Sequence, residues 1–139
     1  MTAVDSSVLI AGLLSWHEFH ERAFQALGKL IAARLLLIPV PALIESYSVM
    51  TRLPSPHRLH PEVAYQLLHD SFTEIRVAGL SPGSAWSFLS ENVAAGISGG
   101  RVYDAVIASA AIAGHATELL TFNPRDFEAF SDRIAIIVP

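Results

Sequence analysis

Four residues with oxygen ligands stand where apolar runs give way to polar ones: Asp5 in AVDSSVLI, Glu45 in PALIES, Asp104 in GGRVYDAVIASAAIAGH and Asn123 in ELLTFNPRDF. If the fold gathers them, three carboxylates in one place repel one another and raise at least one pKa unless a cation neutralises them. A hard divalent cation is the simplest resolution. Mg²⁺ favours oxygen ligands, keeps several waters and commonly takes only a few carboxylates plus substrate phosphate. Such a site orients a phosphodiester, activates a water and stabilises the leaving oxygen, which is hydrolytic phosphate chemistry.

Each residue also has a structural explanation. Asp5, just before Ser6 and Ser7, suits a helix cap. Glu45 suits a solvated helix face, and Asp104 the positive end of its helix dipole. Asn123-Pro124 is an ordinary turn signal. Asp104 is the hardest to explain this way. Val102, Ala105, Val106, Ile107, Ala108, Ala111 and Ile112 leave its helix little exposed surface, and a lone buried carboxylate there is expensive.

The elements that must position these residues alternate along the chain. Thr2 to Asp5 reads as a strand and Ser6 to Leu14 as a helix capped by the serines after Asp5. Ser15-Trp16-His17-Glu18 fits a capping box that opens a second helix, with Phe19, Ala23, Leu27 and Ile31 on one face. Leu35 to Val40 is an apolar run bounded by prolines, as in a strand buried on both faces, and Pro41 starts the helix that carries Glu45. PSPHRLHP is a loop, followed by a helix over Pro61 to Phe72 and a strand over Thr73 to Val77. Ser81-Pro82 opens a helix that ends near Gly96. After Ser98-Gly99-Gly100, a helix from about Arg101 to Ala113 stops at Gly114. Leu119 to Thr121 is the fourth strand, Pro124 to Phe130 a short helix, and Ile134 to Val138 the fifth strand. This alternation predicts one three-layer α/β domain over residues 1–139 with a mainly parallel sheet. In such sheets the working crevice lies beyond the carboxyl ends of the strands, where Asp5, Glu45, Asp104 and Asn123 are expected to meet.

Composition narrows the class. The chain has 139 residues, 52% of them hydrophobic and 16% charged, yet no apolar run approaches the roughly 18 residues that cross a bilayer, so no membrane association is expected. The first residues lack the basic segment of a signal peptide. With no cysteine there is no disulfide, thiolate nucleophile or Cys-based zinc site, which suits a reducing cytoplasm. A net charge of −4 argues against a general nucleic-acid coat while leaving room for a local basic rim. Gly96 to Gly100 matches the G-x-S-x-G nucleophile elbow around Ser98, but that motif needs a strand before the serine, and Phe88 to Ala95 reads as a helix. His17/His20 and His57/His60 have zinc-compatible spacing but lack a third ligand. A haloacid-dehalogenase-type phosphatase would have a second Asp at position 7, which is Ser, and a receiver domain would have a late lysine, whereas the chain's one lysine is Lys29.

AVDSSVLI, PALIES, GGRVYDAVIASAAIAGH and ELLTFNPRDF, in this order and at these distances, resemble the PIN domain, most closely the VapC-type toxins of bacterial toxin–antitoxin pairs. The resemblance spans nearly the whole chain. It implies a Rossmann-like α/β/α fold with a five-stranded, mainly parallel sheet and a Mg²⁺- or Mn²⁺-dependent ribonuclease site. Asp5, Glu45 and Asp104 fall on the family's three acidic, metal-holding positions. Asn123 falls on a fourth that is often acidic, and the amide speaks against a tightly bound second metal. Asp126 is an additional acid nearby. Ser6 and Thr121 fall beside the carboxylates as hydroxyls that order them or metal-bound water. Arg101 and Arg125, with Arg52 and Arg58, are candidates for a rim that touches RNA phosphates. The family also implies a homodimer and a cognate antitoxin partner. The alternative is a PIN-like nucleic-acid-binding or regulatory module without nuclease activity.

Overall fold

A computed structural model describes all 139 residues. Five short strands form one sheet: β1 (Thr2–Val4), β2 (Leu36–Pro39), β3 (Arg76–Ala78), β4 (Glu118–Leu120) and β5 (Ala135–Ile137). Their order is β3-β2-β1-β4-β5, and all four pairings are parallel. The helices are α1 (Ser6–Leu13), α2 (His20–Ala32), α3 (Val40–Met50), α4 (Pro61–Phe72), α5 (Ala85–Ala94) and α6 (Arg101–Ala113), with a 3₁₀ segment over Pro124–Phe130. They flank the sheet to give the expected three-layer α/β/α arrangement.

Strand β1 is the centre of this design. The chain moves from β1 outward to β2 and β3, then returns to the other side of β1 for β4 and β5. That reversal leaves a crevice between the carboxyl ends of β1 and β4, because the connections after the two strands turn to opposite sides. Both strands are apolar enough to be enclosed: Ala3, Val4, Leu119 and Leu120 are buried, as are all four residues of β2.

Helix α6 packs against α3, β2 and β3 through the small side chains Ala105, Ala108 and Ala111. It ends at Gly114, where a Cβ would lie 2.6 Å from Leu37 Cδ2 and 2.7 Å from Ala78 Cβ. No larger residue fits there without moving the sheet. Leu9, Leu37, Ile38, Ile107, Leu119 and Phe127 are fully buried around this contact. No helix is long and apolar enough to cross a membrane.

Three sequence expectations are corrected. Helix α2 starts at His20 rather than Ser15, because residues 15–19 form successive turns, with His17 N–H bonded to Leu14 O and His20 N–H to His17 O. The helix has no side-chain cap, and the His17 ring accepts the Phe19 N–H. Strand β3 starts at Arg76 rather than Thr73, since Thr73 N–H and Ile75 N–H still bond back to α4 at His69 and Phe72. The cap of α1 is Asp5 itself, not the serines after it.

Candidate active site

Asp5 follows the last residue of β1, and its backbone N–H continues the sheet by bonding Leu120 O at 3.1 Å. Its side chain is 3% exposed and is held by three donors. Oδ1 accepts from Ser7 Oγ at 2.6 Å and from the Val8 N–H at 3.2 Å, which caps α1. Oδ2 accepts from Thr121 Oγ1 at 2.8 Å. Both hydroxyls are used twice. Ser7 Oγ also accepts from the Phe122 N–H at 3.0 Å, and Thr121 Oγ1 from the Asn123 N–H at 2.9 Å. Asp5 is thus tied at once to α1 and to the segment leaving β4. Thr121 was anticipated from sequence. Ser7 was not, although its place two residues after a capping Asp is the signal that marks it.

Glu45 lies in the second turn of α3, half-buried, with Oε2 accepting from Ser6 Oγ at 2.5 Å. Asp104 lies in the first turn of α6 and accepts no hydrogen bond. It is half-buried rather than enclosed, and the neighbouring Tyr103 is 69% exposed. The expectation that its helix leaves little exposed surface holds over Ala105 to Ile112 but not at the first turn, where Arg101 and Tyr103 are exposed.

Electrostatics place the acids in one neighbourhood. Burial pushes the Asp5 carboxyl up to about 6; hydrogen bonds from Ser7, Thr121 and Val8 oppose the shift and the charge of Glu45 adds to it. Asp104 is also raised to about 6, first by burial, then by repulsion from Asp126, Glu45 and Asp5, with Arg101 pulling weakly the other way. Asp126, exposed on the 3₁₀ segment, therefore acts on Asp104 more strongly than either acid ranked above it from sequence. Neither of the chain's two ion pairs, His69–Asp70 and Arg133–Glu91, touches this group. The negative charge is concentrated and no cation lies within ion-pair distance of it.

The remaining predicted residues take these places. Asn123 is exposed beside Thr121 and makes no side-chain cap to the segment it precedes. Arg101 is exposed at the start of α6, and Arg125 is exposed between Asn123 and Asp126. Arg52 lines a cavity of about 450 Å³ together with Glu45, Ser48 and Tyr103. Arg58 is exposed and bonds Leu53 O at 2.9 Å within its own loop. Ser98 sits in the turn between α5 and α6 with no strand before it. His20 bonds Ala11 O, His57 stacks on Trp16, and His60 accepts the Glu62 N–H at the start of α4.

No three histidine, aspartate or glutamate side chains are grouped so that they could hold one ion between them. The donor set nevertheless fits a hard cation. Every member is an oxygen ligand, the charges repel without a counterion, and Asp5 Oδ2 accepts one bond where a carboxylate oxygen has room for two. An ion that keeps several waters needs only one or two of these carboxylates directly.

The PIN domain family profile matches residues 2–132. Among curated proteins, the chain is 37% identical over 130 residues to Ribonuclease VapC40 of Mycobacterium tuberculosis, covering 94% of this chain and 92% of that protein. It is 40% identical over 125 residues to Ribonuclease VapC27 of the same species, covering 88% and 85%. Among solved structures, VapBC2 from Rickettsia felis, bound to a promoter DNA fragment, aligns with a TM-score of 0.70 at 17% identity over 99% of this chain and 98% of that one. VapC20 of Mycobacterium tuberculosis, a sarcin–ricin loop cleaving toxin, aligns with a TM-score of 0.69 at 16% identity over 93% and 95%. At these identities the structures speak for the fold.

Proposed function

The chain belongs to the PIN-domain family, and on that premise we propose that it is a metal-dependent endoribonuclease, the toxin of a toxin–antitoxin pair. Likeness over nearly its whole length to two proteins named as ribonucleases supports the activity. The observation that carries the mechanism is the unneutralised group of Asp5, Glu45, Asp104 and Asp126 at the end of the sheet.

In this reading Asp5, Glu45 and Asp104 would hold Mg²⁺ or Mn²⁺ between them, one or two directly and the rest through the ion's own waters. A bound ion would supply Lewis acidity at the scissile phosphate and would activate a water for attack on it. The chain's own residues do the positioning. Ser7, Thr121 and the Val8 N–H fix the Asp5 carboxylate in one orientation before any ion arrives. Ser6 does the same for Glu45. Asp104, with no hydrogen-bond partner, presents its whole charge to the crevice. Asn123 supplies a neutral amide that orients water or phosphate without adding repulsion. Arg52, Arg101 and Arg125 take the flanking phosphates as an electrostatic rim.

The partners are a cognate antitoxin and a second copy of the chain, both meeting it in the cytoplasm. Apolar surface is available for both: a groove of about 430 Å³ is lined by Leu43, Ile44, Tyr47, Tyr65, Phe72 and Val77, and Trp86 and Val93 stand more than 80% exposed on α5.

Incubating purified protein with total cellular RNA under Mg²⁺, Mn²⁺ or EDTA, beside Asp5→Asn and Asp104→Asn, tests the reading. Metal-dependent cuts absent from both variants are the expected result. Folded protein that neither cuts RNA nor binds either ion would replace it with a binding module lacking nuclease activity.

A further inference from the structure

A row of rings begins at the edge of the carboxylate group. Phe122, between Thr121 and Asn123, stacks on Phe19 with centroids 4.6 Å apart and planes 22° from parallel. Phe19 meets His17 at 5.8 Å, and His17 meets Trp16 at 6.0 Å. Trp16 stacks on His57 at 4.0 Å and 27°. All but the last spacing, which is slightly closer, fall in the range typical of attracting ring pairs. The row runs from the segment after β4, across the turn between α1 and α2, to the loop between α3 and α4. It therefore joins three of the connections that emerge around the crevice.

Core packing accounts for the inner end of the row, where Phe19 and Phe122 lie against the core, but not for its outer end. Trp16 remains 47% exposed, His57 is exposed, and Phe19, His17 and Phe122 are half-buried. Basic groups accompany it. The Arg22 guanidinium lies 5.6 Å from the Phe19 centroid and 5.5 Å from that of Phe122, where it also donates to the Pro139 main-chain oxygen, and the loop that offers His57 also carries Arg52 and Arg58. Acids on the adjoining turn and helix start are Glu18 and Glu21, of which Glu21 is engaged by Gln25. Exposed rings interleaved with arginine are the chemistry that holds unpaired nucleotides, because every base has a face to stack and every linkage a phosphate to neutralise. A duplex has no free base faces to offer.

We propose that this row, with Trp16 and His57 at its exposed end, is the platform on which unpaired bases flanking the cleaved phosphate stack. The occupant is single-stranded RNA, since the row is continuous with the segment that carries Asn123. The inference rests on the ribonuclease reading for its substrate, but its test does not need cleavage.

The chain has two tryptophans, Trp16 and Trp86. Trp86→Phe leaves Trp16 as the sole indole fluorophore. Titrating this variant in EDTA with a mixed-sequence single-stranded oligoribonucleotide quenches its fluorescence, and the same sequence as a duplex does not. His57→Ala in that background weakens binding about tenfold, the loss expected for one stacked base. With Mn²⁺ present, Trp16→Leu raises KM by about the same factor and lowers kcat by much less. Absence of quenching by an oligonucleotide that the Trp86→Phe protein cleaves overturns the platform and leaves the ribonuclease reading standing. Quenching without cleavage under any metal supports the platform and overturns the nuclease. Quenching by purified antitoxin alone, with none by RNA, makes the row a protein-docking surface and overturns the proposal.

Discussion

Asp5 and Asp104 carry the same side chain and have carboxyls raised to the same range, about 6, with burial the largest cause in both, yet their surroundings differ. Asp5 is buried at the switch point of the sheet, and three hydrogen bonds offset part of the cost of its charge. Asp104 stands at the open first turn of α6 with no donor, and its shift owes more to other acids. One carboxylate is fixed by the fold, while the other is left to be satisfied from outside. The difference separates two tasks within one site. In the proposed reading, the residues around Asp5 fix where the chemistry happens and the acids around Asp104 favour a cation.

The largest effect is expected at the open side. Asp104→Asn should lower ribonuclease kcat/KM by at least about a hundredfold, the scale of losing one preorganised electrostatic group. Its melting temperature should stay the same or rise slightly, because no hydrogen bond is lost and a repulsion is relieved. Loss of folding would show that Asp104 is structural after all. Parallel calorimetry and cleavage assays decide between these outcomes.

The next effect belongs to the buried side and depends on pH. Asp5 binds its proton more tightly when folded, about 6, than unfolded, 3.8, so folding takes up a proton between those values. Its contribution to metal-free stability is therefore best at low pH and falls as pH rises through about 4 to 6. Two pKa units correspond to about 3 kcal/mol. Urea unfolding in EDTA should show wild type losing up to about that amount relative to Asp5→Asn between pH 4 and pH 7. Addition of Mg²⁺ should narrow the gap at pH 7. A gap that is flat with pH would mean that the hydrogen bonds cancel the burial cost.

Thr121→Val sharpens the comparison further. It removes a fully buried hydroxyl that donates to Asp5 and accepts from Asn123 N–H. A destabilisation of about 1–2 kcal/mol is expected from the unsatisfied groups, together with roughly a tenfold loss of activity. Ser6→Ala, which frees Glu45 at the open side, should have the smallest effect. About a threefold loss of activity and a stability change within about 0.5 kcal/mol are expected, because the pair is only part-buried.

The contrast between the two acids also marks what the sequence could tell. Apolar runs ending at Asp5 and Thr121 made the strands and their carboxyl ends legible, so the meeting of distant acids followed from alternation alone. The parallel pairing follows from the same alternation, whereas the order β3-β2-β1-β4-β5 had no local signal. Asp104's half-buried setting was not legible because helical periodicity describes a whole helix and not the exposure of its first turn. The false capping box at Ser15 has a similar origin: the local pattern matched, but residues 15–19 fold as turns and the helix begins at His20 without a side-chain cap. Ser7 escaped notice because its second partner, Phe122 N–H, comes from the opposite end of the chain. The ring row was invisible for that reason too, since no local spacing links Phe19 to Phe122 or Trp16 to His57.

The Thr121–Asp5 hydrogen bond spans 116 residues of sequence. Such contacts close late, after the intervening loop entropy has been overcome. On a ribosome, Asp5 emerges early and stays without its strand partner, Leu120, and its second hydroxyl until β4 has been synthesised. A chain abandoned partway carries all the residues of Asp5, Glu45 and Asp104 but no assembled site. Translation itself thereby withholds the chemistry until most of the fold has been made.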